Sequence, residues 1–435
     1  MRQNDPGFVE LSLERAGENF DVEDFVHGIR SNATVRHVCF SGTFVRELQE
    51  GQWRIVLETI GHLYSLEELQ IWCSTIPVDV FAHTIRHATR LCKVYFFRVT
   101  LAGSQEDMEE LALAIREHPS LRVFRVSGFH TDDDVTIDCI VQALSVVPTL
   151  DVVSLQSSGV LSHTLFSEDA LALLVCSPHL TDLYLSRLNL GEAHLAVIAV
   201  GVMTSHNLKV LDLFGNNIEN DHVILFAEAL ERNKSLETLV LPCPADDLSV
   251  ESCAALSKSL QTNSTLITLT LPRSNLSDDG LLHIAEGLTV NTTLKKIEVG
   301  VSKDLSQKGL DALTYMLESN MELERLVVSS AEKSIKDKVE YYMRLNEVGR
   351  GLLLRDGNAT REQWVEMLIA VIDDLDCLFY FLTRNPTLCQ FANMPVGMSV
   401  IITEEFRPTR RHTIDLYATE FRPRAADKNR RASAF

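Results

Sequence analysis

Two histidines have the spacing with which one helix can hold a metal ion. His83 and His87 lie four residues apart in the segment HTIRH, so consecutive helical turns would present both imidazoles on one side. The apolar face of the same helix comprises Val78, Phe81, Ala82 and Ile85. We therefore expect both histidines to point outward. Because no carboxylate or cysteine is obviously placed nearby to complete a site, we interpret them as a solvated surface pair and expect no metal and no cofactor.

Four Asn-x-Ser/Thr sequons offer a second possible chemistry, N-glycosylation. They begin at Asn32, Asn233, Asn263 and Asn291. Each asparagine lies three residues before a predicted strand, as does Asn320. That position is the end of a helix, where asparagine tolerates a left-handed cap conformation. We expect capping rather than glycosylation, and the polar N-terminal sequence predicts no secretory signal.

Composition and missing motifs exclude several classes of function. A formal net charge of −20 disfavours nucleic acids and anionic membranes as partners. No apolar run is long enough to span a bilayer. The nine cysteines form no CxxC pair and predict a reducing compartment, cytoplasmic or nuclear. Phosphate-loop, dinucleotide, HExxH and GxSxG motifs are missing, so we do not expect an enzyme.

A repeat dominates the chain. The pattern apolar-x-x-apolar-x-apolar recurs at intervals of 25 to 31 residues, with the two-residue alternation of a strand. Its first positions are Phe8, Val35, Leu66, Leu91, Leu121, Leu150, Leu180, Leu208, Leu236, Leu266, Leu294 and Leu323. We call these positions the strand anchors. A chain with such a period is expected to stack its units side by side.

A helix is predicted before each strand. Counting back from Leu294, the apolar residues Leu288, Ile284 and Leu281 have the spacing of one helical face, and the same offsets hold in early and late repeats. Each unit is therefore a strand followed by a helix. We predict an α/β solenoid of about twelve such units over residues 1–330, with parallel strands on the concave side and helices on the convex side.

These repeats resemble the ribonuclease-inhibitor-like leucine-rich repeats over about residues 8–329. The best match is LKVLDLFGNNIEN at 208–220, where the resemblance implies that Asn216 or Asn217 is the buried asparagine of the strand-to-loop corner. The resemblance also implies a horseshoe and a concave face that binds protein.

Acidic segments open the predicted helices. They are SQEDMEE at 104–110, TDDD at 131–134, SED at 167–169, ADD at 245–247 and SDD at 277–279. Carboxylates at these positions cap unpaired N–H groups and meet the positive end of the helix dipole. Because all such loops open on one rim of the solenoid, we expect that rim to carry a negative field that could steer a basic partner.

Aromatic residues mark the predicted concave face. Trp72, Tyr95 and Phe97 fall on adjacent strands, with Tyr184 and Phe214 further along. Exposed aromatic residues on a concave surface are typical anchors for a protein partner. The alternative is that the C-terminal segment or a bulky neighbour covers them.

The repeat fades after residue 330. Residues 331–394 predict a helical cap, in which Thr360 and Gln363 form a capping box and Trp364, Leu368 and Val371 form one helical face. Residues 395–435 are mildly basic, and we expect them to be disordered. Arg–Arg pairs two residues before Thr413 and Ser433 match the pattern of basic-directed kinases, while contact between this tail and the acidic rim is an equal alternative.

The sequence therefore predicts a protein-interaction scaffold or inhibitor that uses the concave face and the acidic rim. Two alternatives stay open. The Ran GTPase-activating proteins resemble this architecture, although no residue can be assigned to that activity here, and a repeat-based ligand sensor is the other. Neither the partner nor the oligomeric state can be read from the sequence.

Overall fold

A computed structural model describes residues 8–17, 20–48, 51–128, 130–131, 136–157, 166–244, 247–302, 305–329, 332–354 and 359–386. The predicted tail at 395–435 and most of the acidic segment at 131–134 lie outside these ranges. Within them the chain is a curved leucine-rich repeat solenoid with one long parallel sheet of twelve strands. None of the described helices is both long and apolar enough to cross a bilayer.

The sheet runs in chain order from the first repeat to the last. Its strands are β1 (Glu10–Leu13), β2 (His37–Phe40), β3 (Glu68–Trp72), β5 (Lys93–Phe97), β7 (Val123–Ser127), β9 (Val152–Gln156), β10 (Asp182–Tyr184), β11 (Val210–Asp212), β12 (Thr238–Val240), β13 (Thr268–Leu276), β14 (Lys296–Val301) and β15 (Arg325–Ser329). Every neighbouring pair is parallel, as helical crossovers require. Each of the twelve strands begins two residues after a strand anchor, so the predicted repeat is confirmed.

Helices cover the convex side. They are α1 (Val22–Arg30), α2 (Gly42–Glu47), α3 (Gln52–Gly61), α4 (Val78–His87), α5 (Gln105–Arg116), α6 (Asp138–Val146), α7 (Glu168–Val175), α8 (Glu192–Thr204), α9 (Asn220–Arg232), α10 (Val250–Thr262), α11 (Asp278–Val290) and α12 (Gln307–Ser319). The C-terminal helices are α13 (Lys333–Glu347), α14 (Arg350–Leu354), α15 (Arg361–Ala370) and α16 (Leu375–Arg384).

The core lies between the sheet and the helices as one continuous apolar layer. The anchor Leu294 is fully buried, and the helical residues Leu288, Ile284 and Leu281 are nearly so. Burial of such a side chain stabilises the fold by about 1.5–3 kcal/mol. Since no unit can bury this face alone, each one depends on its neighbours.

A second, small sheet was not predicted. It joins β4 (Thr75–Pro77), β6 (Thr100–Ala102) and β8 (His130–Thr131) in the early repeats. The chain reaches it through one residue with positive φ directly after the long strand, namely Cys73 (52°), Arg98 (54°) and Gly128 (69°). These residues still donate their backbone N–H to the next strand, as Cys73 does to the Phe97 carbonyl at 2.7 Å. The turn therefore keeps the strands in register while it leads the chain away from the concave face.

Buried asparagines connect successive repeats. Oδ1 of Asn263 accepts the backbone N–H of Thr265 at 3.0 Å and of Leu266 at 2.8 Å. Its Nδ2 donates to the carbonyl of Leu230, 2.8 Å away in the last turn of α9. A carbonyl at a helix end has no partner within its own helix, so each asparagine satisfies the helix of the preceding repeat. The same three bonds recur at Asn233, Asn291 and Asn320.

The expectation of a left-handed cap at these asparagines is wrong. Asn233, Asn263, Asn291 and Asn320 are extended, with φ between −67° and −78° and ψ between 119° and 139°. Extended backbone lets the side chain accept the N–H groups of the residues two and three positions later, an arrangement that a left-handed cap would not give. At Asn233, Asn263 and Asn291 the amide nitrogen that a sugar would modify is buried and donates a hydrogen bond. The geometry thus supports the interpretation of these sequons as structural.

The C-terminal segment ends this series of bonds with a different side chain. Arg350 is fully buried, and its Nη2 donates to the carbonyls of Leu317 at 2.8 Å and Asn320 at 2.5 Å. Nδ2 of Asn346 donates to the Leu323 carbonyl at 2.7 Å. The guanidinium also lies 5.1 Å from the ring centroid of Tyr342. Arg350 therefore takes the place of the asparagine that a further repeat would supply.

The cap has its own apolar cluster, distinct from the core of the repeats. Thr360 and Gln363 form the predicted capping box of α15. The predicted face of Trp364, Leu368 and Val371 is buried within the cluster. Helix α13 packs against β15 and closes the open end of the sheet, as the terminal unit of a solenoid must.

We expect Asn263→Ala to lower the free energy of unfolding by about 2–4 kcal/mol, because two N–H groups and one carbonyl would lose their partners inside the protein. Urea denaturation followed by circular dichroism measures this. Asn217→Ala, at an exposed asparagine, is the control. Equal midpoints for the two variants would show that the asparagine bonds do not stabilise the repeats.

Arg350→Met should preserve much of the side-chain volume but leave the Leu317 and Asn320 carbonyls unpaired. We expect faster amide exchange in α12, α13 and β15, and unchanged exchange in the central repeats, since coupling in a solenoid passes between neighbours. Hydrogen–deuterium exchange mass spectrometry resolves the two regions. Arg325→Met, at an exposed arginine on β15, should leave the exchange pattern as in the wild type.

Candidate functional site

Three predicted aromatic residues meet on the concave face. Trp72 ends β3 and Phe97 ends β5, and the two are register partners. Their rings stack with centroids 4.0 Å apart and planes 22° apart. Tyr95 lies on the same side of β5, and its ring is 6.4 Å from that of Phe97 with an angle of 12°. Trp72 keeps 41% of its surface exposed, so the stack presents an apolar patch to solvent. We call these three residues the aromatic cluster.

Local backbone geometry positions the cluster. Parallel pairing sets the spacing of neighbouring strands to about 4.8 Å, which is close to the stacking distance of two rings. The left-handed residues Cys73 and Arg98 follow Trp72 and Phe97 directly. The chain therefore turns away immediately beyond the rings and leaves their outer faces open. Burial raises the pKa of the neighbouring Cys39 thiol, although hydrogen bonds to Trp72 and Ser12 oppose the shift.

Tyr184 lies apart from the cluster, on β10. Arg125 on β7 links the two regions, because it is the register partner of Tyr95 and places its guanidinium 5.2 Å from the Tyr184 ring centroid. Nε of Arg125 is buried and has no hydrogen-bond partner among the described residues. Burial, and after it the charge of Asp182, raises the pKa of Tyr184. Arg125 was not among the residues singled out from the sequence.

Phe214 lies two residues beyond the end of β11, rather than on the strand. It borders a hollow of about 380 Å³ at the ends of the central strands. The hollow is lined by Arg98, Ser127, Gly128, Gln156, Ser157, Ser186, Arg187, Asp212 and Phe214. The Arg187 guanidinium lies 5.8 Å from the Phe214 ring centroid. Burial raises the pKa of Asp212, while the backbone N–H of Phe214 donates to its carboxylate and opposes the shift.

The concave face carries charges of both signs, with Asp182 and Asp212 on its central strands. Arg98, Arg125 and Arg187 lie on or beside it, in a protein whose net charge is −20. On the other flank of the aromatic cluster, Lys93 pairs with Glu68 at 3.3 Å. An apolar stack bordered by guanidinium groups suits a ligand that carries both apolar and carboxylate groups.

The described part of the cap does not cover this surface. Helix α13 packs at the far end of the sheet, against β15. Trp72 and Phe214 expose 41% and 39% of their surfaces. The described C-terminal helices therefore leave the aromatic residues uncovered, and the alternative that the C-terminal segment covers them is wrong for these helices.

The acidic rim has a mixed origin. Serine side chains, rather than carboxylates, cap helices α5, α7, α10, α11 and α12. Some first-turn carboxylates join repeats, as Asp278 does by accepting the N–H of Ser306 at 3.0 Å. Asp247, from the ADD segment, precedes the capping Ser249 instead of lying within the helix. Other carboxylates, including Glu106, Glu192 and Glu251, lie exposed in the first turns of their helices. They are the groups on which the expected negative rim depends.

Asn216 is the predicted buried corner asparagine. Its Oδ1 accepts the N–H groups of Leu188 and Leu190 at 3.0 and 3.3 Å, and its Nδ2 donates to the carbonyls of Leu185 and Leu213 at 2.7 and 2.8 Å. The neighbouring Asn217 is exposed. The corner therefore ties this repeat to the preceding one, close to Phe214.

Comparison with known proteins finds no matching family model. The chain is 25% identical over 299 residues to human NACHT, LRR and PYD domains-containing protein 13, which covers 65% of this chain and 27% of that protein. It is 33% identical over 128 residues to mouse NACHT, LRR and PYD domains-containing protein 14, covering 29% of this chain and 12% of that one. The chain thus matches about a quarter or less of the length of these relatives.

Solved structures of the actin-binding site 2 of leiomodin-1 and of the C-terminal domain of a Caenorhabditis elegans tropomodulin also align with part of the chain. The leiomodin-1 structure is 20% identical with a TM-score of 0.27, over 31% of this chain and 77% of that one. The tropomodulin structure is 19% identical with a TM-score of 0.27, over 33% of this chain and 88% of that one. The strand order and register give this chain the fold of a leucine-rich repeat solenoid, and the two curated relatives are named for repeats of this kind.

Proposed function

We propose that this chain is a binding scaffold, not an enzyme, that holds a protein partner on its concave face. The exposed stack of Trp72 and Phe97 is the observation that carries the proposal. Large aromatic side chains dominate the energy of many protein interfaces. Because these two rings already support each other, little side-chain freedom remains to be lost on binding.

The polar surroundings suggest the chemistry of the partner. At the centre, Arg98, Arg125 and Arg187 favour a segment that places a carboxylate beside an apolar side chain. On the rim, the exposed carboxylates favour basic groups at the periphery of the partner, where they would mainly accelerate association. Scaffolding, inhibition and ligand sensing share this arrangement, and a full helix in most units supports the ribonuclease-inhibitor-like subtype.

We expect the triple substitution Trp72→Ala, Tyr95→Ala and Phe97→Ala to abolish capture of the partner, because it removes the apolar anchor. Quantitative mass spectrometry of affinity captures from cells that express the protein measures the loss. The matched control is Tyr64→Ala with Tyr315→Ala, which removes exposed aromatic residues (59% and 64% exposed) away from the concave strands. Partners that bind the triple variant and the control equally would exclude the aromatic cluster as the anchor.

A photo-crosslinking residue at position 72 makes the test direct. Partners enriched by capture should form adducts at position 72 and not at position 315, on the helix side. Crosslinks confined to position 315 would place the binding surface on the convex face and contradict the proposal.

The rim is tested separately with Glu106→Gln, Glu192→Gln and Glu251→Gln in one chain. If the rim steers a basic partner, the association rate should fall several-fold at low salt and the difference should shrink at high salt, since salt screens exposed charges. Biolayer interferometry with the captured partner gives both rates. A loss that appears only in the dissociation rate would show that these carboxylates make direct contacts instead of steering.

A further inference from the structure

Four side chains that could bind metal lie together on the convex face. Glu58 is in α3, and His62 follows the last turn of that helix, four residues later. His83 and His87 have the same spacing on α4. Residues four apart share one helix face, so each helix presents a pair of donors to its neighbour. From the sequence alone, His83 and His87 are interpreted as a solvated surface pair. The sequence does not place Glu58 and His62 beside them, because those residues lie more than twenty positions earlier.

The two helices are in close contact at this point. A Cβ on Gly61 would lie 2.9 Å from the Cα of Thr84, a distance that real Cβ atoms do not show. Thr84 also donates from its hydroxyl to the Leu57 carbonyl of α3 at 3.1 Å. Glycine is thus required at position 61 for α4 to approach, and this contact fixes the separation of the two donor pairs.

The donor atoms converge. One ligand atom each from Glu58, His62 and His83 lies within 4.8 Å of the others. The His87 ring stacks on the His83 ring with centroids 3.9 Å apart, and the His62 ring is 5.3 Å from it. In a tetrahedral zinc site with bonds of about 2.0–2.1 Å, neighbouring ligand atoms are about 3.3 Å apart. Small side-chain rotations on an accessible helix surface would close the remaining gap.

The ring nitrogens of His87 and His83 have hydrogen-bonding states that are compatible with metal binding. Nδ1 of His87 lies 2.8 Å from the His83 carbonyl, so it must carry the proton and leave Nε2 as the lone-pair donor. Nδ1 of His83 is buried and has no hydrogen-bond partner among the described residues. Burial, and after it His87, lowers the pKa of His83, with His62 and Arg86 acting in the same direction and Glu58 opposing them.

We propose that Glu58, His62 and His83, with His87 beside them, form a binding site for a divalent transition metal such as Zn²⁺. Imidazole nitrogens with one carboxylate suit zinc, whereas Mg²⁺ and Ca²⁺ prefer oxygen donors throughout. The metal would join α3 to α4 across two successive repeats and stabilise the early solenoid. Because it lies on the helix side, this site is independent of the proposed concave interface.

Isothermal titration of the metal-free full chain with ZnCl₂, in the presence of a phosphine reductant, tests the proposal. The wild type should bind one Zn²⁺ and unfold at a higher temperature with it. His83→Ala should weaken binding by about 100-fold or more, since even changes outside the ligand shell cost about 10–100-fold.

Two controls separate the site from other metal ligands. His283→Ala removes a histidine on α11 that pairs with Glu286 at 3.3 Å, and it should leave Zn²⁺ affinity unchanged. Cys73→Ser with Cys176→Ser removes two exposed thiols and should also have no effect. The exposed His62→Ala gives a second ligand variant if His83→Ala unfolds.

The visible spectrum of the Co²⁺ form provides a readout independent of affinity. A tetrahedral nitrogen and oxygen site should give the intense absorption bands of four-coordinate Co²⁺, and these bands should disappear in His62→Ala. Absence of Zn²⁺ binding by the wild type, or equal binding by the ligand variants and the wild type, would overturn the proposal.

Discussion

The solenoid depends on hydrogen bonds to the carbonyls at the end of each helix, which have no partner within that helix. From α8 to α12, a carbonyl in the last turn of the helix is buried and needs a partner from outside that helix. Asn233, Asn263, Asn291 and Asn320 solve the problem with one side chain that accepts two N–H groups of its own turn and donates to the preceding helix. The bond joins repeats, so it fixes both their order and their spacing. Where the asparagines end, Arg350 supplies the donor.

The early repeats are less uniform at this position. His118 occupies the position of the asparagine and lies 3.1 Å from the Ala88 carbonyl through Nε2. Nδ1 of His118 accepts the Ser120 N–H at 3.3 Å, so Nε2 carries the proton and donates to the Ala88 carbonyl. Burial also lowers the pKa of His118. Positions 63, 88 and 147 hold apolar residues instead. The early repeats therefore rely more on packing, and they are also the repeats that carry the small extra sheet and the convex histidines.

Local pattern was sufficient to predict the strands, the helix faces and the terminal cap, because each follows from spacing within one unit. Contacts between units could not be predicted from this local pattern. The asparagine positions were predicted correctly, but their backbone conformation was not. Asparagine is expected at this position both when it caps its own helix and when it bonds to the preceding helix, so the sequence pattern does not separate the two. Glu58 and His62 could not be linked to His83 without the packing of α3 on α4. The stacking of Trp72 on Phe97 was accessible only because strand register follows from the repeat spacing itself.

The two candidate surfaces differ in what the fold demands of them. On the concave side, the register of β3 and β5 brings the aromatic rings together, but nothing in the core requires those residues to be aromatic, since none of the three belongs to the apolar core. On the convex side, close packing at Gly61 is a structural requirement, whereas the surrounding histidines and Glu58 are not. In both places the frame fixes positions and leaves the chemistry of the side chains open. The aromatic cluster and the histidine group are therefore two sets of side chains that the packing of the fold does not require. A binding role would explain why these residue types stand at these positions.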